Sequence, residues 1–123
     1  MDVNKVHMVT YNENHIAIVK DGISSIKSVL KGNNFQEKES LLFCLDKYLD
    51  PWYGYNLPYA NEIFELLEYV VIEPNNKDIK EEALHLLQVY SWPPFKILEN
   101  NLDKIEQELI SDVKYIINMD KEL

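Results

Sequence analysis

Catalysis needs reactive side chains at workable spacings, and this chain offers few. The three histidines, His7, His15 and His85, are scattered, and none stands in an H-E-x-x-H or H-x-E spacing that would set metal ligands on one helical face. Cys44 is the only cysteine, which excludes an internal disulfide and a cysteine-based metal cage. It lies among Leu41, Leu42 and Leu45, where a small buried hydrophobe is expected. No G-x-S-x-G turn is present, and Gly22, Gly32 and Gly54 are too dispersed to build a phosphate loop. Glu81 and Glu82 are adjacent, so on a helix they point apart and make a poor acid and base pair. The expectation is a non-enzyme with no catalytic residue, no metal and no cofactor.

Recognition chemistry is better represented. The segment Pro51-Trp52-Tyr53-Gly54-Tyr55-Asn56-Leu57-Pro58-Tyr59-Ala60-Asn61 crowds four large aromatics around two prolines and a glycine. Proline and glycine mark a turn, whereas Trp and Tyr are costly to leave in water without a partner. Leu57 and one of Trp52 or Tyr59 are expected to pack between helices, and Trp52 is given the structural role. Tyr53 and Tyr55 flank Gly54 in the tightest part of the turn and are the better contacts for a partner. Acids stand close by, and the candidate partner-binding set is Asp46, Asp50, Trp52, Tyr53, Tyr55, Tyr59, Glu62, Glu81, His85 and Trp92.

Charge narrows the partner. The chain carries 21 acids and 12 bases for a net charge of −9, and every base is a lysine. Phosphate contacts need clustered cations and usually arginine, so nucleic acid is disfavoured and a basic protein partner is expected. No basic residue occurs between Lys47 and Lys77, while Asp50, Glu62, Glu65, Glu68 and Glu73 are all acidic.

The elements that must position these residues read as helices. Ile16, Val19, Ile23, Ile26 and Leu30 keep a three-four spacing before Gly32-Asn33-Asn34, which predicts a helix over about 13–31 with a weak point at Gly22. Leu41, Leu42, Cys44, Leu45, Tyr48 and Leu49 give a second over 36–49, ended by Asp50-Pro51. A third opens near Pro58, carries Ile63, Leu66, Leu67 and Val70, and stops at Glu73-Pro74. A fourth runs over about 78–90, and Ser91-Trp92-Pro93-Pro94 breaks it. The stripe Phe95, Leu98, Leu102, Ile105, Leu109, Val113 and Ile116 or Ile117 then extends to the C-terminus, with a candidate interruption at Asn100-Asn101. Residues 1–12 fit either a strand, through Val6, Met8 and Thr10, or a helix start, through Val3, Val6 and Val9. One domain of about five helices follows, with neither a signal peptide nor a membrane span, and a cytoplasmic location is expected.

Shifting the chain by 42 residues aligns Lys38-Glu39-Ser40-Leu41-Leu42-Phe43-Cys44-Leu45-Asp46-Lys47-Tyr48 with Lys80-Glu81-Glu82-Ala83-Leu84-His85-Leu86-Leu87-Gln88-Val89-Tyr90. A proline-aromatic corner follows each copy, Pro51-Trp52 and Trp92-Pro93-Pro94-Phe95. A period of this length points to a helical repeat, in which each helix pair buries its apolar face against the next. The run Asp78-Ile79-Lys80-Glu81-Glu82-Ala83-Leu84-His85-Leu86-Leu87 resembles the second helix of a HEAT-like repeat, with Glu37 and Leu41 departing from that pattern in the first copy. The resemblance implies a short antiparallel helical-repeat solenoid. In size, repeat type and charge the chain is also similar to immunity proteins of bacterial polymorphic toxin systems, including contact-dependent growth inhibition. That similarity implies a monomer that binds a cognate toxin domain, often a basic nuclease, one to one and blocks it. A non-enzymatic scaffold or adaptor is the alternative.

Overall fold

A computed structural model describes residues 9–122, and every regular element among them is helical. The seven α-helices are α1 (Glu13–Asp21), α2 (Ile23–Leu30), α3 (Phe35–Leu49), α4 (Ala60–Ile72), α5 (Lys77–Tyr90), α6 (Lys96–Asn100) and α7 (Gln107–Ile117). Short 3-10 turns occupy Pro51–Tyr53, Leu102–Lys104 and Met119–Glu122. Seven replace the expected five because two of the anticipated helices are divided. Gly22 takes φ 122°, a backbone conformation that side-chain-bearing residues rarely adopt, and so separates α1 from α2. Asn101 leaves the helical region at φ −132°, and the chain passes through a 3-10 turn before α7 begins. Most of the ambiguous segment 1–12 lies outside the described residues, and Val9 to Asn12 lead into α1 without helix.

Asparagine side chains start three of the helices. Asn12 Oδ1 accepts from the Asn14 amide at 2.8 Å, Asn34 Oδ1 from the Glu37 amide at 3.1 Å, and Asn76 Oδ1 from the Ile79 amide at 2.9 Å. Each satisfies a backbone donor that the first turn leaves without an intrahelical partner. Asn34 and Asn76 are themselves separated by the 42-residue shift, so the two copies begin alike.

Helices α1, α3, α5 and α7 pack successively on one another, as do α2, α4 and α6, and α4 lies along α5. A polar seam ties the first series together at one end. His15 Nε2 meets Glu37 Oε2 at 2.8 Å, Lys38 Nζ donates to Asn75 Oδ1 at 2.5 Å, and Lys80 Nζ donates to Glu106 Oε1 at 2.7 Å. Every bond joins the N-terminal end of one helix to that of the next, so the four run in the same direction. At the other end Tyr90 Oη, on the last residue of α5, donates to Asp46 Oδ1 near the end of α3 at 2.5 Å. The corners that follow α3 and α5 therefore share one end of the molecule.

The repeat-equivalent positions share their burial. Leu45 and Leu87 have no exposed surface, as do Leu41 and Ala83, while Phe43 and His85 both face outward. Lys38 and Lys80 are buried, their stems covering apolar surface and their ammonium groups reaching the seam. Burial draws the Lys38 ammonium below its ordinary range, and Glu73 opposes that shift. Glu68 is a buried acid whose Oε1 accepts from the Leu98 amide at 3.2 Å, tying α4 to α6. No helix among the described residues is long and apolar enough to cross a membrane.

Candidate functional site

The corner after α3 is built to hold its aromatics outward. Asp50 leaves the helix with extended backbone, and its Oδ1 accepts from the Trp52 amide at 2.9 Å, which closes the Pro51–Tyr53 turn. Gly54 then adopts φ 70° in the left-handed region, and Asn56 follows at φ 49°. Two such residues within three positions reverse the chain sharply, as glycine and asparagine permit. Trp52 is left 86 % exposed at the middle of this turn. That corrects the structural role expected for it. Tyr59 takes the role instead: it is half-buried, and its hydroxyl donates to the Val19 carbonyl. Leu57 is half-buried beside it against the core, as expected.

Tyr53 and Tyr55 fold back over the end of α3. Tyr55 stacks on the buried Tyr48 with ring centroids 4.2 Å apart, and Tyr53 lies 6.3 Å beyond in a nearly parallel plane. Lys47 Nζ sits 5.4 Å from the Tyr53 centroid. Stacking of this kind fixes large rings before any partner arrives, which lowers the entropy lost on binding.

Beside the stack lies a cleft of about 310 Å³ lined by Tyr11, Phe43, Asp46, Lys47, Asp50, Tyr53 and Tyr90. Tyr11 meets Phe43 edge to face at 5.6 Å, so the cleft has aromatic walls on both sides. Two carboxylates against one lysine leave it negative. Burial first, and then the hydrogen bond to Asp46, push the Tyr90 hydroxyl well above its ordinary range, so it stays a protonated donor to Asp46 even in mildly alkaline solution.

The remaining candidates divide among other faces. Glu82 and His85 on α5 come close to Asp46 on α3, with one ligand atom from each lying within 4.8 Å of the others. Burial raises the Glu82 carboxyl, with Asp46 adding to the rise and His85 opposing it. Glu81 and His85 also border a depression of about 220 Å³ with Asp112 of α7. Glu62 lines a different cleft, of about 510 Å³, between α2 and α4. Trp92, 52 % exposed, lines a third with Phe64 and Lys96 beside the cis Pro93–Pro94 bond. Asp46, Asp50, Tyr53 and Tyr55 thus belong to one face, whereas Glu62 and Trp92 do not line it.

Tyr11, Phe43, Glu82 and Tyr90 were not among the candidates. A signal existed for Phe43, since the 42-residue match pairs it with His85, an outward position in both copies. For Glu82 the cue is its i, i+3 spacing to His85, which places both on one side of α5. No family model, no curated protein and no solved structure matches this chain.

Proposed function

We propose that this chain is an immunity protein, a binding inhibitor that neutralises a cognate bacterial toxin domain of basic character by covering its active site or substrate groove. One observation carries the reading: the exposed Trp52 and the stacked pair Tyr53 and Tyr55 stand together beside Asp46 and Asp50, at the start of a stretch without a single basic residue. Aromatic anchors with carboxylates around them suit a surface carrying lysine or arginine, through burial of the anchors, cation–π contact and charge pairing. The succession of α3, α4 and α5, with its 42-residue period, supports reading the scaffold as a short HEAT-like solenoid whose corner after α3 supplies the binding face.

The test is co-expression of this chain with the toxin domain encoded immediately upstream of its gene, scored by cell survival and by co-purification. Survival together with a one-to-one complex is the expected result. A chain that neither binds that domain nor protects the cell overturns the reading and leaves the adaptor role as the working one.

A further inference from the structure

We propose that Asp46, Glu82 and His85 form a site for one divalent transition-metal ion, with zinc as the type case. Two helices supply the set. Glu82 and His85 stand at i and i+3 on α5, the spacing by which a single helix offers a carboxylate and an imidazole to the same ion. Asp46 comes from α3, brought alongside by the parallel packing of the two helices.

Three features of the surroundings fit this use. The ligand atoms already lie within 4.8 Å of one another. A tetrahedral ion with bonds near 2.1 Å holds its ligands about 3.4 Å apart, so side-chain adjustments of roughly an ångström close the set, and His85 is exposed and free to move. Among the described residues, neither Asp46 nor Glu82 is in a salt bridge with a lysine. Two like charges are left side by side where a cation would offset them. Finally, Tyr90 Oη donates to Asp46 Oδ1 at 2.5 Å, the outer hydrogen bond that commonly orients a ligating carboxylate. One imidazole nitrogen with two carboxylate oxygens suits zinc, nickel or cobalt better than the hard ions magnesium and calcium, which take oxygen ligands. Three protein ligands leave at least one coordination position to water or to a donor from another molecule.

The experiment uses the full chain alone, freed of metal with a chelator, so its result is independent of any partner. Calorimetric titration with Zn²⁺ is expected to give saturable one-to-one binding, and His85→Ala and Glu82→Gln are each expected to weaken it by at least about tenfold. His85 is exposed, so its variant should keep the circular dichroism of the parent and isolate the ligand effect. Zn²⁺ should also move the NMR resonances of the His85 ring. Absence of saturable binding overturns the site, and so does undiminished binding by His85→Ala or a His85 ring unaffected by the ion.

Discussion

At the scale of single residues, two buried titratable groups make predictions about the isolated protein. Burial raises the Cys44 thiol from 9.0 to about 11. At neutral pH that lowers its thiolate fraction on the order of 100-fold, and steric cover by α3 and its neighbours adds to the effect. Cys44 should therefore resist a disulfide reagent in the native protein and react promptly in urea. Fast labelling without denaturant would show that the helix opens. Glu68 gives a pH dependence. Burial raises its carboxyl, the like charges of Glu65 and Glu99 add to the rise, and the backbone amides of Leu98 and Ile97 oppose it. A raised acid binds more protons when folded than when unfolded, so its contribution makes stability fall as pH rises from the unfolded value through the folded one. Glu82 carries the same sign. Glu68→Gln keeps an acceptor for the Leu98 amide and should flatten part of that decline, so that the variant gains on the parent as pH rises above the ordinary glutamate range of ~4. Urea midpoints measured across that rise check it, and a variant that tracks the parent at every pH would contradict it.

At the scale of elements, the helices were legible in the sequence and their joints were less so. Helix positions followed from the three-four spacing, and the two places where helices divide, Gly22 and Asn100-Asn101, were visible as weak points. Whether a weak point bends or breaks a helix depends on packing that the local spacing does not encode. The same limit hid the site. Asp46 and the pair Glu82 and His85 are far apart in sequence, and only the register of α3 against α5 brings them together. Trp52 was misplaced for a related reason: an aromatic in a corner reads as buried until the Asp50 cap and the left-handed Gly54 turn it outward. Equivalence between the copies can be measured. Leu45 and Leu87 are both fully buried, so truncating either to alanine should cost about 2–5 kcal/mol, with similar losses. Asn34→Ala and Asn76→Ala should each cost about 1 kcal/mol through the lost cap. A near-neutral Leu87→Ala in urea unfolding would mean that α5 presents another face to the core.

At the scale of the whole molecule, the two ends of the helix array differ in kind. Lysines gather at the seam and are engaged there, Lys38 by Asn75, Lys77 by Glu108 and Lys80 by Glu106. The opposite end carries Asp46, Asp50 and the exposed aromatics, with Lys47 drawn against Tyr53. On the proposed reading, the net charge of −9 attracts a basic partner over long range, and short-range contact at the rim falls to Trp52 and to the stacked Tyr53 and Tyr55. Charge and anchor should then separate kinetically in the proposed complex with a toxin domain. Raising ionic strength from about 50 to 500 mM shrinks the screening length well below the size of the rim, so the association rate should drop by about tenfold or more while dissociation changes little. Trp52→Ala should do the reverse. Loss of a central anchor typically raises the dissociation rate by tens of fold, about 2 kcal/mol in binding, and leaves the association rate nearly unchanged. Because Trp52 is 86 % exposed in the free chain, the same variant should unfold at the urea concentration of the parent. Stopped-flow association and surface-captured dissociation, read beside urea unfolding, test both halves. A Trp52→Ala protein that dissociates no faster than the parent would remove the aromatic corner from the interface and turn attention to the Glu62 cleft between α2 and α4.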